Sequence, residues 1–319
     1  MSNTSVSLII PVFNTQYYLS ACFESIEAQN YQDYEVILIN DGSTDQSEQM
    51  CRDFLAKHPE KTTLITQNNL GQGAARNAGL RIATGNYVCF VDSDDLITPD
   101  FLSVMIKATE HDLADVVVTD LIKRFETSGK ELIFKNVQLF TTNMSTNLML
   151  SHPGPVAKLI RRSLIEMHSL VFTQGKIYED LLFNVNLSLC APKVVYVEVA
   201  LYIYRVRSMS TMNQGAFSSK LEDIYAVMEM IETQLIDHPA ELEYLIIEHI
   251  LYSASLRFLS VVGGLTYVER NVEWMKQKYP NWTKNPYFLK RNLKFRVVCH
   301  LIILRQFGLV KWLSTMRGS

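Results

Sequence analysis

No two cysteines of this chain form a CxxC pair. Cys22, Cys51, Cys89, Cys190 and Cys299 are odd in number and widely scattered, which excludes a disulfide framework or a structural zinc site and fits a reducing compartment. No run of 18 uninterrupted apolar residues occurs, and the opening MSNTSVSLIIPVFN has neither a basic leader nor an apolar stretch long enough for a signal peptide. A cytoplasmic chain that does not cross a membrane is therefore expected. A GxxxxGK[ST] phosphate loop is missing, and the glycine-rich stretch GQGAARNAG (71–79) has Arg76 where a GxGxxG dinucleotide fingerprint needs glycine. The histidines show no metal-ligand spacing, no Ser-His-Asp arrangement is legible, and no nucleic-acid partner is expected. Acidic residues are missing from one region only. None follows Glu273, whereas ten lysines and arginines do, so the first 273 residues hold 20 basic against 33 acidic residues, a net of −13. A basic, aromatic and aliphatic tail on an acidic body suggests a polyanionic contact such as an anionic membrane surface at the inner face of the cell membrane. A solvated helical face or a homo-oligomer contact is the competing reading.

What the chain does contain is a large apolar supply, 48% of 319 residues, enough for one large domain or two ordinary ones. Residues 6–12, 34–40, 62–66, 87–92 and 115–119 are short, largely β-branched apolar runs that predict strands. Between them apolar residues recur at helical spacing, as in Tyr18, Cys22, Ile26 and in Met50, Phe54. Asp45 and Glu48 have the spacing of a capping box, the start signal of a helix just after a strand. The alternation predicts a parallel α/β sheet. From residue 121 the rhythm changes: IKRFETSGKELIFKN predicts a hairpin turning at Ser128 and Gly129, and VVYVEVALYIYRV (194–206) a further strand. Helical spacing dominates beyond STMNQGAFSS. The boundary is placed near residue 216, giving a 1–216 domain with halves of about 1–120 and 121–216, and a helical region 217–319 that is basic after 273.

In open α/β sheets ligands bind beyond the carboxyl ends of the strands. Three polar clusters fall at such ends: PVFN (11–14), NDGSTD (40–45) and DSDD (92–95). Each alone is accounted for by turn chemistry, since Asn, Asp, Gly and Ser are the usual turn residues. Their convergence argues for one ligand crevice. Asp92, Asp94 and Asp95 are hard oxygen donors suited to Mg²⁺ or Mn²⁺, ions usually held by a few carboxylates together with substrate phosphates. A helix cap at Asp95 or Thr98 would explain one acid but not three. The glycines of 71–79 let a loop pass close to a ligand and enter a helix, with Arg76 as a cation.

Taken in order, SLIIPVFN, NDGSTD, GQGAARNAGL, GNYVCFVDSDD and YEDLLF resemble the motifs of the family 2 glycosyltransferases, over roughly residues 5–215. The resemblance implies an α/β GT-A nucleotide-diphospho-sugar transferase fold, a mostly parallel Rossmann-like sheet flanked by helices, here with a C-terminal helical region. It implies metal-dependent, inverting transfer from a UDP-sugar (UDP-glucose, UDP-galactose or UDP-N-acetylhexosamine) to a hydroxyl of a glycan or lipid-linked acceptor. Pro11 and Phe13, with Asn14 beside them, would surround the base; Asp41 would accept from the uracil N3–H, and Asn69 and Arg76 would approach the base from the glycine loop. Phe13, where similar proteins more often carry tyrosine, stacks but donates no hydroxyl bond. Asp92, Ser93 and Asp94 map onto the family's DxD motif, with Asp92 near ribose and metal, Asp94 on the metal, and Asp95 on the sugar or supporting the site. In YEDLLF, Asp180 would be the general base and Glu179 would orient the acceptor, although ED alone would be a solvated helix start. Arg207 and Ser210, and secondarily Arg205, would close on the pyrophosphate. Lys158 would lie near the sugar or acceptor. A nucleotidyltransferase is the first alternative, but it needs a basic phosphate loop near the N-terminus, and PVFNTQYYLS has no lysine or arginine. A non-catalytic glycan-binding scaffold is the second; the joint presence of Asp92, Asp94 and Asp180 argues against it.

Overall fold

A computed structural model describes residues 5–207 and 219–315. They fall into two compact units, one built on residues 5–175 and 179–207, the other on 176–178 and 219–315. The boundary expected near residue 216 lies outside the described residues.

The first unit is organised around one nine-stranded sheet. Strands β1 (Val6–Val12), β2 (Tyr34–Asn40), β3 (Thr62–Thr66) and β4 (Tyr87–Phe90) pair in parallel in the order β3-β2-β1-β4. Their crossovers carry helices α1 (Gln16–Glu27), α2 (Ser47–Lys57) and α3 (Gln72–Leu80). Next along the chain come β5 (Leu96–Ile97), α4 (Phe101–Asp112), β6 (Val116–Phe125), β7 (Glu131–Phe134), α5 (Met144–Met149), β8 (Lys158–Arg161), α6 (Arg162–Met167), α7 (Glu179–Cys190) and β9 (Val194–Val206). The sheet continues β4-β8-β6-β9-β5, with β7 on β6. Because β8 is antiparallel to both β4 and β6, and β9 is parallel to β6, the strands β1, β2, β3, β4, β6 and β9 all point the same way.

Every residue of β1 is buried, as expected of a strand covered on both faces. Alternate residues serve opposite layers: Leu8 and Ile10 pack with Leu19, Cys22, Phe23 and Phe101, whereas Ile9 packs with Ala75, Ala78, Phe172 and Phe183. Two local expectations are corrected. The run 87–92 ends as a strand at Phe90, because residues 92–95 fold into a turn closed by the Asp95 amide donating to the Asp92 carbonyl (3.0 Å). Asp45 and Glu48 form no capping box: the Asp45 carboxylate accepts from the backbone amides of Ser47 (2.9 Å) and Gln16 (3.1 Å), while Glu48 pairs with Arg52. Asp45 thus ties the starts of α1 and α2 together. The hairpin forms where expected, with the Gly129 amide donating to the Phe125 carbonyl at 2.8 Å, and β6 runs six residues past the predicted end at 119.

The second unit is helical: α8 (Asp223–Gln234), α9 (Pro239–Ile246), a π-helical stretch Ile247–Ala254, α10 (Ser255–Leu259), α11 (Leu265–Lys278), α12 (Pro286–Leu289), α13 (Leu293–Ile303) and α14 (Phe307–Thr315). Asn271, fully buried on α11, is its polar hub. It accepts from the Tyr225 hydroxyl (2.7 Å) and donates to the Ile250 carbonyl (3.1 Å) and the Ser255 hydroxyl (3.0 Å). All three tryptophans, Trp274, Trp282 and Trp312, belong to this unit, so intrinsic tryptophan fluorescence reports on it alone. Asn271→Ala leaves buried partners unsatisfied and is expected to destabilise this unit by about 2–4 kcal/mol, measured as a lower urea midpoint of the tryptophan signal.

Candidate functional site

Three loops at the carboxyl ends of β1, β2 and β4 are fastened to one another. Asn14 takes a left-handed φ of 51°, which Asn tolerates, and its side-chain oxygen accepts from the Thr44 amide (2.8 Å) while its own amide donates to the Ser43 hydroxyl (3.2 Å). This locks PVFN to NDGST. Asp41 is buried and holds the glycine loop: it accepts from Gln67 Nε2 (2.7 Å) and from the amides of Leu70 (2.9 Å) and Gly71 (2.9 Å). Gly42 is required at φ 73°, where a Cβ would stand 2.8 Å from the Asn69 amide nitrogen. Pro11 is buried, Asn69 is exposed, and the Phe13 ring is left 43% exposed beside them. Four expected base contacts, Phe13, Asn14, Asp41 and Asn69, therefore lie on loops that are bonded or packed together, and the fifth, Pro11, lies near the end of the strand that leads into them.

Arg76, also expected at the base, has a different setting. It is buried, with its guanidinium between Asp92 Oδ1 (3.0 Å) and Glu179 Oε1 (3.1 Å) and 5.3 Å over the Phe172 ring. The next residue, Asn77, clamps the Phe172 backbone, donating to its carbonyl (2.8 Å) and accepting from its amide (2.9 Å). Phe172 stacks on Phe183 with centroids 4.0 Å apart, and both meet Phe90 edge-on. Gly73 lets this segment come close: a Cβ there would lie 2.9 Å from the Thr173 carbonyl oxygen and 3.1 Å from Glu179 Cγ. The sequence GQGAARNAG is thus a helix that joins the strand-end acids to the ED pair at the start of α7.

The acids of DSDD have distinct environments. Asp92 Oδ1 accepts from Arg76 and from Gln72 Nε2 (3.0 Å), and Asp94 is ion-paired with Arg207. Asp95 is buried: its oxygens accept from the Tyr202 hydroxyl (2.9 Å) and the Arg205 amide (2.8 Å), and the same Tyr202 oxygen accepts from the Asp92 amide (3.1 Å). Asp95 therefore fastens β9 to the acidic turn. Ser93 is buried too and accepts from the Thr15 hydroxyl (3.1 Å). Arg205 and Arg207 both lie over the Tyr18 ring, at 5.3 and 4.8 Å. The sequence assigns Tyr18 only to a helix face and gives Gln72 and Tyr202 no role at the site; the alternating YIYRVR is the available signal for Tyr202. Ser210 lies outside the described residues.

Burial and the neighbouring carboxylates push the Asp94 carboxyl above its usual range, and push Asp95 well above it. Burial likewise raises Glu179, against the pull of Arg76. Asp180 is raised by burial and pulled back by Arg76 and Lys158. Lys158 is itself fully buried, its ammonium donating to the carbonyls of His152 (3.1 Å) and Gly154, and burial lowers its pKa to about 7. It sits beneath the site near Asp180, its ammonium turned to backbone carbonyls instead of facing a ligand. Two results should follow from Lys158→Met. The lowered lysine pKa makes the unfolded chain bind more protons from about pH 7 to 10, so wild-type stability should climb across that window, and this climb should flatten in the variant's pH-dependent unfolding. With its cation gone, Asp180 should hold its proton to higher pH, moving the acid limb of the rate–pH profile upward.

Asp92 and Asp94 are the residues suited to a divalent cation. Their side chains are 21% and 19% exposed, each carboxylate is now balanced by an arginine, and both offer the hard oxygens that Mg²⁺ or Mn²⁺ prefers. Among the described residues no group of three or more His, Cys, Asp or Glu side chains is placed to hold a metal ion; two carboxylates would leave most of the coordination of Mg²⁺ or Mn²⁺ to water or ligand oxygens.

A largely parallel sheet whose strand ends gather an open aromatic edge, arginine-balanced acids and a carboxylate at a helix start has the GT-A arrangement. The sequence profile of "Glycosyl transferase family 2" matches residues 7–168. Glycosyltransferase GlyA of Streptococcus pneumoniae is 35% identical over 218 residues, 64% of this chain and 31% of GlyA. The putative glycosyltransferase EpsH of Bacillus subtilis is 34% identical over 223 residues, 67% of this chain and 64% of EpsH. The chain thus spans less than two thirds of either relative. Among solved structures, residues 1–349 of Staphylococcus aureus TarS superpose with a TM-score of 0.67 at 21% identity, covering 99% of this chain and 92% of that one. This chain belongs to glycosyltransferase family 2.

Proposed function

We propose that the chain moves a sugar from a UDP-sugar to a hydroxyl of a glycan or lipid-linked acceptor, with inversion at the anomeric carbon. The observation that carries this reading is the Arg76 bridge between Asp92 and Glu179. It brings the acids that would face the donor diphosphate and the ED pair that would face the acceptor into one crevice. The base lies against Phe13, with Pro11, Asn14, Asp41 and Asn69 shaping its edge. Asp180 accepts the acceptor hydroxyl's proton as that oxygen bonds the anomeric carbon, and the bond from that carbon to the UDP oxygen breaks on the opposite face. Arg76 and Lys158 favour the ionised, proton-accepting form of Asp180, and Glu179 orients the acceptor. A divalent ion on Asp94 and Asp92 would neutralise the charge gathering on the departing diphosphate. Arg207 then exchanges its carboxylate partner for pyrophosphate oxygens, with Ser210 and Arg205 alongside.

UDP as the nucleotide is supported by TarS, a poly(ribitol-phosphate) β-N-acetylglucosaminyltransferase whose 1–349 fragment forms complexes with UDP-GlcNAc and with UDP. The same relative supports an acceptor in cell-surface polymer synthesis. The test is thermal stabilisation by a panel of nucleotides with and without Mn²⁺. UDP and one or more UDP-sugars should stabilise the protein when metal is present, by about 2.7 kcal/mol at a hundredfold excess over Kd, read as a higher melting temperature. Stabilisation by another nucleotide, or by none, would overturn the reading.

A further inference from the structure

The last two helices of the second unit have two apolar faces. On α13 the side chains of Phe295, Val298, Cys299 and Ile302 are buried in the unit. At about 100° per residue, Leu293, Val297, Leu301 and Leu304 fall on the opposite side within an arc of about 80°. Leu293 is 73% exposed, Leu304 65%, and Val297 is exposed as well. On α14, Leu309 and Trp312 (56% exposed) are exposed as well, while Val310 points inward. Isolated exposed leucines are ordinary, but this is a helical stripe with an exposed indole.

The segment that carries the stripe is basic. Residues 274–319 contain no acid; Arg291 pairs with Glu248 (3.0 Å) and Arg305 with Glu273 (2.6 Å), and the Lys294 and Lys311 side chains are exposed. A second copy docked on this face would set lysine against lysine, which disfavours a symmetric pairing. An anionic lipid surface offers the stripe an apolar phase and offers this basic segment negative charge. No described helix is long and apolar enough to cross a membrane, so the geometry is that of a helix lying in the interface, with tryptophan at headgroup level.

We propose that α13 and α14 insert Leu293, Val297, Leu304, Leu309 and Trp312 into the headgroup boundary of an anionic bilayer, with Lys294 and Lys311 against its phosphates. The inference goes beyond a merely electrostatic contact, because it requires the apolar stripe. It rests on the second unit alone and not on the transferase chemistry.

The experiment is co-sedimentation of the full chain with phosphatidylglycerol-containing and with pure phosphatidylcholine vesicles, at low and high salt. Binding should require the anionic lipid, weaken with salt, and shift the tryptophan emission to the blue. The exposed pair Leu293→Ser and Val297→Ser should lower the partition coefficient by about tenfold or more, and Lys294→Gln with Lys311→Gln should lower it at low salt. Stabilisation by UDP and Mn²⁺ in solution should be the same in all these variants, which separates failure here from failure of the transferase reading. Wild-type protein that stays in the supernatant, a serine pair that binds as wild type does, or a wild-type dimer in sedimentation velocity that the serine pair breaks would each overturn the proposal.

Discussion

Asp180→Asn should bind UDP and metal as wild type does and lose transfer by about 10²–10⁴-fold or more. Asparagine keeps the shape of aspartate but cannot accept a proton, so only the step that needs a base is removed. The carboxylate stands in the first turn of α7, where the backbone amides of Leu181 and of Asp180 itself favour its charged form. Arg76 and Lys158 act in the same sense against the effect of burial. Burial thus raises the Asp180 pKa while the two cations and the helix-start amides hold that rise in check. The aromatic cluster of Phe90, Phe172 and Phe183 fixes the start of α7, so the substitution should leave the fold unchanged. A variant with undiminished turnover would remove Asp180 from the reaction.

Asp94→Asn should separate nucleotide binding from metal. Asp94 is matched by Arg207, two charged groups with side chains 19% and 21% exposed. Losing the carboxylate removes a hard ligand and frees Arg207 for phosphate. UDP affinity should therefore become insensitive to Mn²⁺ while a metal-independent component remains. Turnover should fall on the order of 10³-fold, since a Lewis-acid contribution to a leaving diphosphate amounts to several kcal/mol. Titration calorimetry of UDP with Mn²⁺ and with chelator, on wild type and variant, checks both statements. A wild-type metal response in the variant would contradict the assignment of Asp94.

The parts of the molecule legible in the sequence are those with a short-range cause. β1 and β2 could be read because strands covered on both faces must be continuously apolar, and β9 because its run of Val, Tyr and Ile has strand character over its whole length. The strand-end clusters were legible for the same reason, since turn chemistry is local. The partners of individual acids were not. Asp95 meets Tyr202 and Arg205 across 107 and 110 residues of chain, and nothing in DSDD distinguishes a buried fastener from a ligand-facing acid. Arg76 meets Glu179 across 103 residues, so its bridging position depends on α3 and α7 covering the same face of the sheet. Lys158 shows the same limit. A lysine at the start of a strand gives no local sign that its ammonium is buried among backbone carbonyls.

The most direct measurement of the central claim is a crystal structure of the protein soaked with UDP and Mn²⁺. Uracil should lie against Phe13 and Asp41, the ion should sit on Asp94 and the diphosphate, and Arg207 should have moved from Asp94 onto a phosphate oxygen. Nucleotide bound away from the ends of β1, β2 and β4, or an Asp94–Arg207 pair that persists beside bound UDP and Mn²⁺, would contradict it.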